Sequence, residues 1–166
     1  MQSKLHKSAY PVIDTDPIFG RVVRYFRWSD YAKGVAWTAY APAFIYFLER
    51  FQPLELSKQA LHKTMKVSVV VGVFHAFLMM YTNSSARFFG YMENAREIKM
   101  YREEYLRLKG EGKPMHGVSR LPLSLQRVAA SYSTGAFMNF DVFPIFNFVN
   151  HPYHGQSEGV IPEEWK

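Results

Sequence analysis

The chain has 166 residues, no cysteine and a formal net charge of +6. The missing thiols exclude disulfides, thiolate-held metals, iron–sulfur ligation and cysteine nucleophiles. Its lysines and arginines are scattered without a basic block, which argues against nucleic acid as a partner and for anionic lipid headgroups or acidic protein surfaces.

Residues 1–33 form an N-terminal extramembrane segment in this reading. Met1 to Asp16 carry Lys4, His6 and Lys7 but no apolar core, so a secretory signal is not expected. Without arginine or amphipathic length this stretch is also a poor organellar presequence, and any import is expected to use internal information.

Two apolar stretches follow. From Gly34 to Leu48 the chain is uncharged, flanked by Lys33 and Glu49, and a first transmembrane helix is expected over 34–50. The uncharged part covers only about 22 Å of a roughly 30 Å hydrocarbon core, so Tyr31, Trp37, Tyr46 and Phe47 must act as interfacial rings. Pro42 removes a backbone donor and predicts a kink. A re-entrant or surface helix is the rival reading. After a loop over 51–66, the run Val67–Ala86 holds no acidic or basic side chain except His75 and is bracketed by Lys66 and Arg87. At about 20 residues it is long enough to cross a bilayer, and a second span is expected over 67–86. A helix buried in a large soluble assembly is the alternative, which Thr82, Asn83, Ser84 and Ser85 keep open.

Two crossings put both termini on one side. Arg21, Arg24, Arg27, Lys33, Arg87, Arg96, Lys99 and Arg102 lie near the spans on that side, against Arg50, Lys58, Lys63 and Lys66 in the loop, which favours the cytoplasm-like or matrix face for the termini.

Beyond Arg87 the residues Phe88, Met92, Ala95, Ile98, Tyr101, Tyr105 and Leu108 recur at helical spacing, with Glu93, Arg96, Glu97, Lys99, Arg102, Glu103 and Arg107 on the other faces. An amphipathic helix over 87–109 is expected, continuous with the second span unless Gly90 interrupts it, its tyrosine stripe docking on another protein. The remainder, 110–166, is a C-terminal extramembrane segment. It holds a helix from Pro122 to about Phe140 with Ser119 as a possible cap. There follows an irregular aromatic stretch (Phe137, Phe140, Phe143, Phe146, Phe148), too polar to span and too aromatic for water, and then an extended tail. The fold class is thus an all-α membrane protein.

No catalytic, cofactor-binding or metal site is expected. His151 and His154 have His-x-x-His spacing, but Pro152 opposes a regular helix between them and no third ligand is evident. Ser119, Asp141 and the histidines form no nucleophile motif, and the glycines match no phosphate loop. His75 is an ionisable group inside a span, which raises the alternative of a small ion- or proton-transport protein; a neutral imidazole bonded to a neighbouring helix is the simpler account. Contact surfaces are better marked. Ser68, Gly72 and Ala76 repeat at i+4 in the second span, as Ala39 and Ala43 do in the first, and small residues in register let helices approach closely. Arg21, Arg24 and Arg27 are candidates for lipid headgroups or partner carboxylates, and Phe143, Phe146 and Phe148 for aromatic anchoring on a partner.

Three stretches also carry a resemblance. Asp16-Pro17, Phe19, Arg21-Val22, Tyr25, Arg27 and Ser29-Asp30-Tyr31 resemble the N-terminal motif of the 21 kDa accessory subunit family of fungal mitochondrial complex I, the proton-pumping NADH:ubiquinone oxidoreductase. Arg87-Phe88, Gly90, Glu93-Asn94-Ala95-Arg96-Glu97 and Met100 resemble that family's segment after its second span, and Pro144, Phe146-Asn147-Phe148-Val149-Asn150-His151 with His154-Gly155 its C-terminal aromatic motif. The resemblance implies a supernumerary, non-catalytic subunit of the mitochondrial inner membrane. It would carry no flavin, cluster or quinone chemistry, and would have other complex I subunits as partners.

Overall fold

In the computed structural model, residues 8–52, 57–134 and 146–165 are described. Among the described residues the regular structure is all helical: α1 (Phe19–Arg24), α2 (Trp28–Phe51), α3 (Lys58–Phe88), α4 (Ala95–Gly110), α5 (Leu123–Ser133) and a closing 3-10 turn, Glu163–Trp165. Pro53, Phe137, Phe140, Asp141, Phe143 and Pro144 lie outside the described residues. The chain divides into two bodies, Phe26–Tyr81 and the combination of Met1–Tyr25 with Thr82–Lys166.

The Phe26–Tyr81 body is an antiparallel pair, α2 against α3. Asp30, itself buried, accepts a hydrogen bond from the Arg27 backbone N–H at 2.8 Å and so secures the start of α2. The helix runs through Pro42 to Phe51. Helix α3 starts at Lys58, well ahead of the expected span boundary, because the Ser57 hydroxyl accepts from the Ala60 N–H at 3.2 Å and supplies a cap. Close approach is set by glycine: a Cβ on Gly72 would stand 2.9 Å from the Thr38 carbonyl oxygen, and one on Gly34 would stand 3.1 Å from Met80 Sδ. Ser68 and Ala76 are buried on the same stripe as Gly72. Ala39 and Ala43 are exposed, so on α2 the close approach is made by Gly34 and the Thr38 backbone and not by the alanine pair.

Outside the seam the pair is apolar and uncovered. Tyr40, Phe44, Tyr46 and Phe47 on α2, and Val67, Val70, Val71 and Phe74 on α3, are all exposed. Among the described residues one helix, α3, is long and apolar enough to cross a membrane. Helix α2 has the length, but its tryptophan, tyrosines and proline and the flanking Asp30, Lys33, Glu49 and Arg50 dilute the apolar run.

In the other body α3 does not continue as one rod into the amphipathic helix. It stops at Phe88, Gly90 turns the chain with φ +73°, and α4 begins only at Ala95. A Cβ at Gly90 would run into the Tyr10 carbonyl, so glycine is needed there both for its dihedral and for its size. Asn94 ties the joint by donating to the Pro11 and Arg87 carbonyls, each at 2.8 Å. Glu97, which its spacing puts among the solvated charges, is fully buried against Arg87 at 3.5 Å, with Arg96 at 3.4 Å.

The tyrosine stripe of α4 docks within its own chain. Arg102 donates to the Val160 and Gly159 carbonyls at 2.6 and 2.7 Å, Tyr105 Oη donates to the Trp165 carbonyl at 3.0 Å, and Lys109 reaches the same oxygen. The tail is therefore packed, with Val160 and Ile161 in the core beside Val12, Ile13, Val22, Tyr25, Phe88 and Tyr101. Helix α5 ends at Ser133, with Pro122 in the cap position; Ser119 instead accepts from the Leu121 N–H.

Candidate functional site

The polar centre of the body built from Met1–Tyr25 and Thr82–Lys166 is assembled from segments far apart in sequence. The stretch Val12–Asp16 is buried throughout and is threaded between the α3–α4 joint and the C-terminal segment. Ile13 N–H donates to the Phe88 carbonyl at 2.8 Å, Thr15 N–H to Gly155 at 3.0 Å, and Ser157 N–H to Val12 at 2.9 Å. These bonds hold two carboxylates, Asp14 and Asp16, inside the body, where each must find compensation.

Asp16 finds it in hydroxyls and one imidazole. Its Oδ2 accepts from Ser133 at 2.5 Å and Thr134 at 3.2 Å, and meets His151 Nε2 at 2.9 Å. Tyr153 N–H donates to His151 Nδ1 at 3.2 Å, so the proton sits on Nε2 and points at Asp16. Both nitrogens of His151 are thereby used, and Asn147 completes the knot by donating to the Asp16 carbonyl at 3.0 Å.

Asp14 has a different shell. His154 Nδ1 donates to its Oδ1 at 2.7 Å, and the Asp16 N–H donates to the same oxygen at 2.9 Å. On the Oδ2 side stand Arg21 Nη1 at 3.6 Å and His116 Nδ1 at 3.7 Å. The His116 and His154 rings stack with centroids 3.6 Å apart and planes 12° apart. Burial works against the Asp14 charge, but the hydrogen bond and charge of His154, the His116 ring and the Asp16 N–H together outweigh it and hold the carboxyl below the ordinary carboxylate range. Burial pushes the His116 ring down to about 4, so it is neutral near neutral pH.

Arg21, expected at a lipid or partner surface, is instead interior. It pairs with Asp14 and with Glu104 at 3.5 Å, and donates to the Met115 carbonyl at 2.6 Å. Glu104 also accepts from Tyr25 Oη at 2.9 Å, and burial followed by that carboxylate raises the Tyr25 phenol. Arg24 shares Glu104 at 3.4 Å but remains 63% exposed. Arg27 is half-buried at the start of α2. Phe146 is half-buried against Phe19 (ring centroids 5.3 Å), while Phe148, at 4.9 Å from the same ring, is 67% exposed.

The histidine pair noted in the sequence thus divides, His151 to Asp16 and His154 to Asp14. The third and fourth members of the cluster, Asp14 and His116, were not legible as such, because no spacing links positions so far apart. The family-like stretches were the available signal: Asp16, Arg21, Tyr25, Arg87, Phe88, Gly90, Asn94, Glu97, Asn147, His151, His154 and Gly155 belong to three separate motifs and all lie in this body.

Among the described residues the chain is all helical, with one helix, α3, apolar enough to cross a membrane and a self-stitched polar body, an arrangement consistent with membrane association. The family model described as NADH-ubiquinone oxidoreductase complex I, 21 kDa subunit, matches residues 7–93, and the chain belongs to that family. It is 42% identical over 153 residues to the NADH-ubiquinone oxidoreductase 20.9 kDa subunit of Neurospora crassa, an alignment covering 92% of this chain and 81% of the relative.

Proposed function

We propose that the chain is a non-catalytic accessory subunit of mitochondrial complex I, embedded in the inner membrane through two spans, α2 and α3, and serving the assembly or stability of the enzyme rather than electron transfer. The observation that carries this reading is the outer surface of the helix pair, where Val67, Val70, Val71, Phe74, Tyr40, Phe44 and Phe47 are uncovered. Apolar area of that extent is unfavourable in water and is at home against lipid or other transmembrane helices. The 24 residues of α2 supply about 36 Å of helix, enough for a span whose aromatic ends sit in the interfacial layers.

Two spans put both termini on one side, for which the arginine-rich flanks favour the matrix. The polar body then contacts other complex I subunits at the membrane surface, offering Arg24 to acidic headgroups or carboxylates and Phe148 to a partner groove. Ser68, Gly72 and Ala76 serve the seam between the two helices. His75 packs edge-on against Trp37 at a centroid distance of 5.2 Å, which accounts for its presence without transport chemistry.

Deletion of the chain tests the reading. The amount of assembled complex should fall, while the iron–sulfur signals seen by paramagnetic resonance stay in proportion to the complex that remains. An intact complex lacking only this chain and one specific cluster signal would overturn it.

A further inference from the structure

Asp14, His116 and His154 come together from three separate parts of the chain and leave polar capacity unused. One oxygen of Asp14 and one nitrogen of each ring lie within 4.8 Å of one another. Asp14 Oδ2, His116 Nδ1 and His154 Nε2 are buried without a hydrogen-bond partner. Buried acceptors are rarely left in that condition, and a carboxylate and two imidazoles gathered this closely suit a ligand that takes lone pairs. We propose that these three residues bind a zinc-class divalent cation, which clips the N-terminal strap, the 115–117 turn and the C-terminal segment together.

The dimensions suit this ion. Tetrahedral zinc with bonds near 2.1 Å sets its ligand atoms roughly 3.4 Å apart. The Asp14 Oδ2–His116 Nδ1 separation, 3.7 Å, lies close to that value, and His154, held to Asp14 Oδ1 through Nδ1 at 2.7 Å, offers Nε2 to the ion once the rings open. Two imidazoles and a carboxylate are a donor set that zinc favours over magnesium or calcium. A small cleft lined by Arg21, Asn147, Asn150 and both rings opens beside the cluster, with space for about one water as a fourth ligand. The stacked rings must open from their near-parallel arrangement for both nitrogens to face one ion, and His116, with 28% of its side chain exposed, has room to turn.

Arg21 does not forbid a cation here. Its guanidinium also faces Glu104, so Asp14, Arg21 and Glu104 together carry one negative charge. Because Arg21 grips both the Asp14 carboxylate and the Met115 carbonyl next to His116, it acts as a positioning residue for two of the ligands. His151 stands outside the set, with both nitrogens already bonded.

The test uses the full-length chain purified in detergent, stripped with a chelator and titrated first with Co2+ as a visible probe and then with Zn2+. We expect one equivalent of Co2+ per chain with the absorption of a four-coordinate site, displacement by Zn2+, and a rise in melting temperature on loading. H116A and H154A should weaken binding at least about tenfold, H116C should restore it with a thiolate charge-transfer band, and H151A should leave the stoichiometry at one. Failure of the wild-type chain to take up either ion would overturn the proposal without reference to any variant. Uptake unchanged in H116A and H154A, or abolished by H151A alone in a chain that stays folded, would also overturn it.

Discussion

The two bodies of this chain solve the burial problem in opposite ways. In the body built from Met1–Tyr25 and Thr82–Lys166, charges go inside and are matched there: Asp14 to His154 and Arg21, Asp16 to His151 and Ser133, Glu97 to Arg87. In the Phe26–Tyr81 body little is enclosed beyond the seam of Gly34, Ser68, Gly72 and Ala76 and the end residues Phe26, Asp30 and Tyr81, and large apolar side chains are left outside. The first body is specified by directional bonds within the chain, and the second depends on what surrounds it. Substitutions should therefore read out differently: intrinsic stability in the first, residence in the membrane and on the complex in the second.

The largest loss of intrinsic stability is expected from Gly90→Val. A β-branched residue at φ +73° is strained, and its Cβ meets the Tyr10 carbonyl, so a loss of about 4 kcal/mol is expected and the α3–α4 joint should become protease-sensitive. Glu97→Ala leaves the Arg87 guanidinium buried without its carboxylate and should cost about 3 kcal/mol in thermal or denaturant melts of the purified chain, more than Glu97→Gln. In the helix pair, Gly72→Leu forces a side chain against the Thr38 backbone and should separate α2 from α3 at a cost of roughly 2 kcal/mol, seen as faster proteolysis within α2 and α3 with melting of the polar body unchanged. Arg24→Ala should change stability by less than about 0.5 kcal/mol, because its pair with Glu104 is mostly exposed; measurable loss of retention on the complex with stability intact would assign Arg24 to a partner or a headgroup.

The helix pair was the legible part of the fold, since uninterrupted apolar runs between Lys33 and Glu49 and between Lys66 and Arg87 announce helices whatever surrounds them. Its seam was half legible: Ser68, Gly72 and Ala76 mark one side, but small residues at Ala39 and Ala43 sit on the outside of α2, because i+4 spacing identifies a stripe without saying which neighbour it meets. The polar body was poorly legible for a physical reason. Helical periodicity assigns Glu97 to a solvated face, and only the arrival of Arg87 from the other side of a glycine turn makes its burial tolerable. The same holds for Asp14, whose partners His116 and His154 come from distant segments; no local pattern encodes a contact between them. The tail looked extended because Gly155, Gly159 and Pro162 deny it regular structure, yet irregular backbone packs well when Arg102 and Tyr105 supply donors for its carbonyls.

The function proposed above has the uncovered face of the helix pair hold this subunit in the membrane-embedded part of the complex. Its most direct test is native electrophoresis of mild-detergent extracts from mitochondria whose only copy of the chain carries Val70→Asp and Phe74→Asp, both on the exposed side of α3 and away from the Gly72 seam. The variant chain should be missing from the NADH-oxidising complex band, while the wild-type chain comigrates with it. Full retention of the doubly charged variant in that band would show that this face does not hold the subunit there.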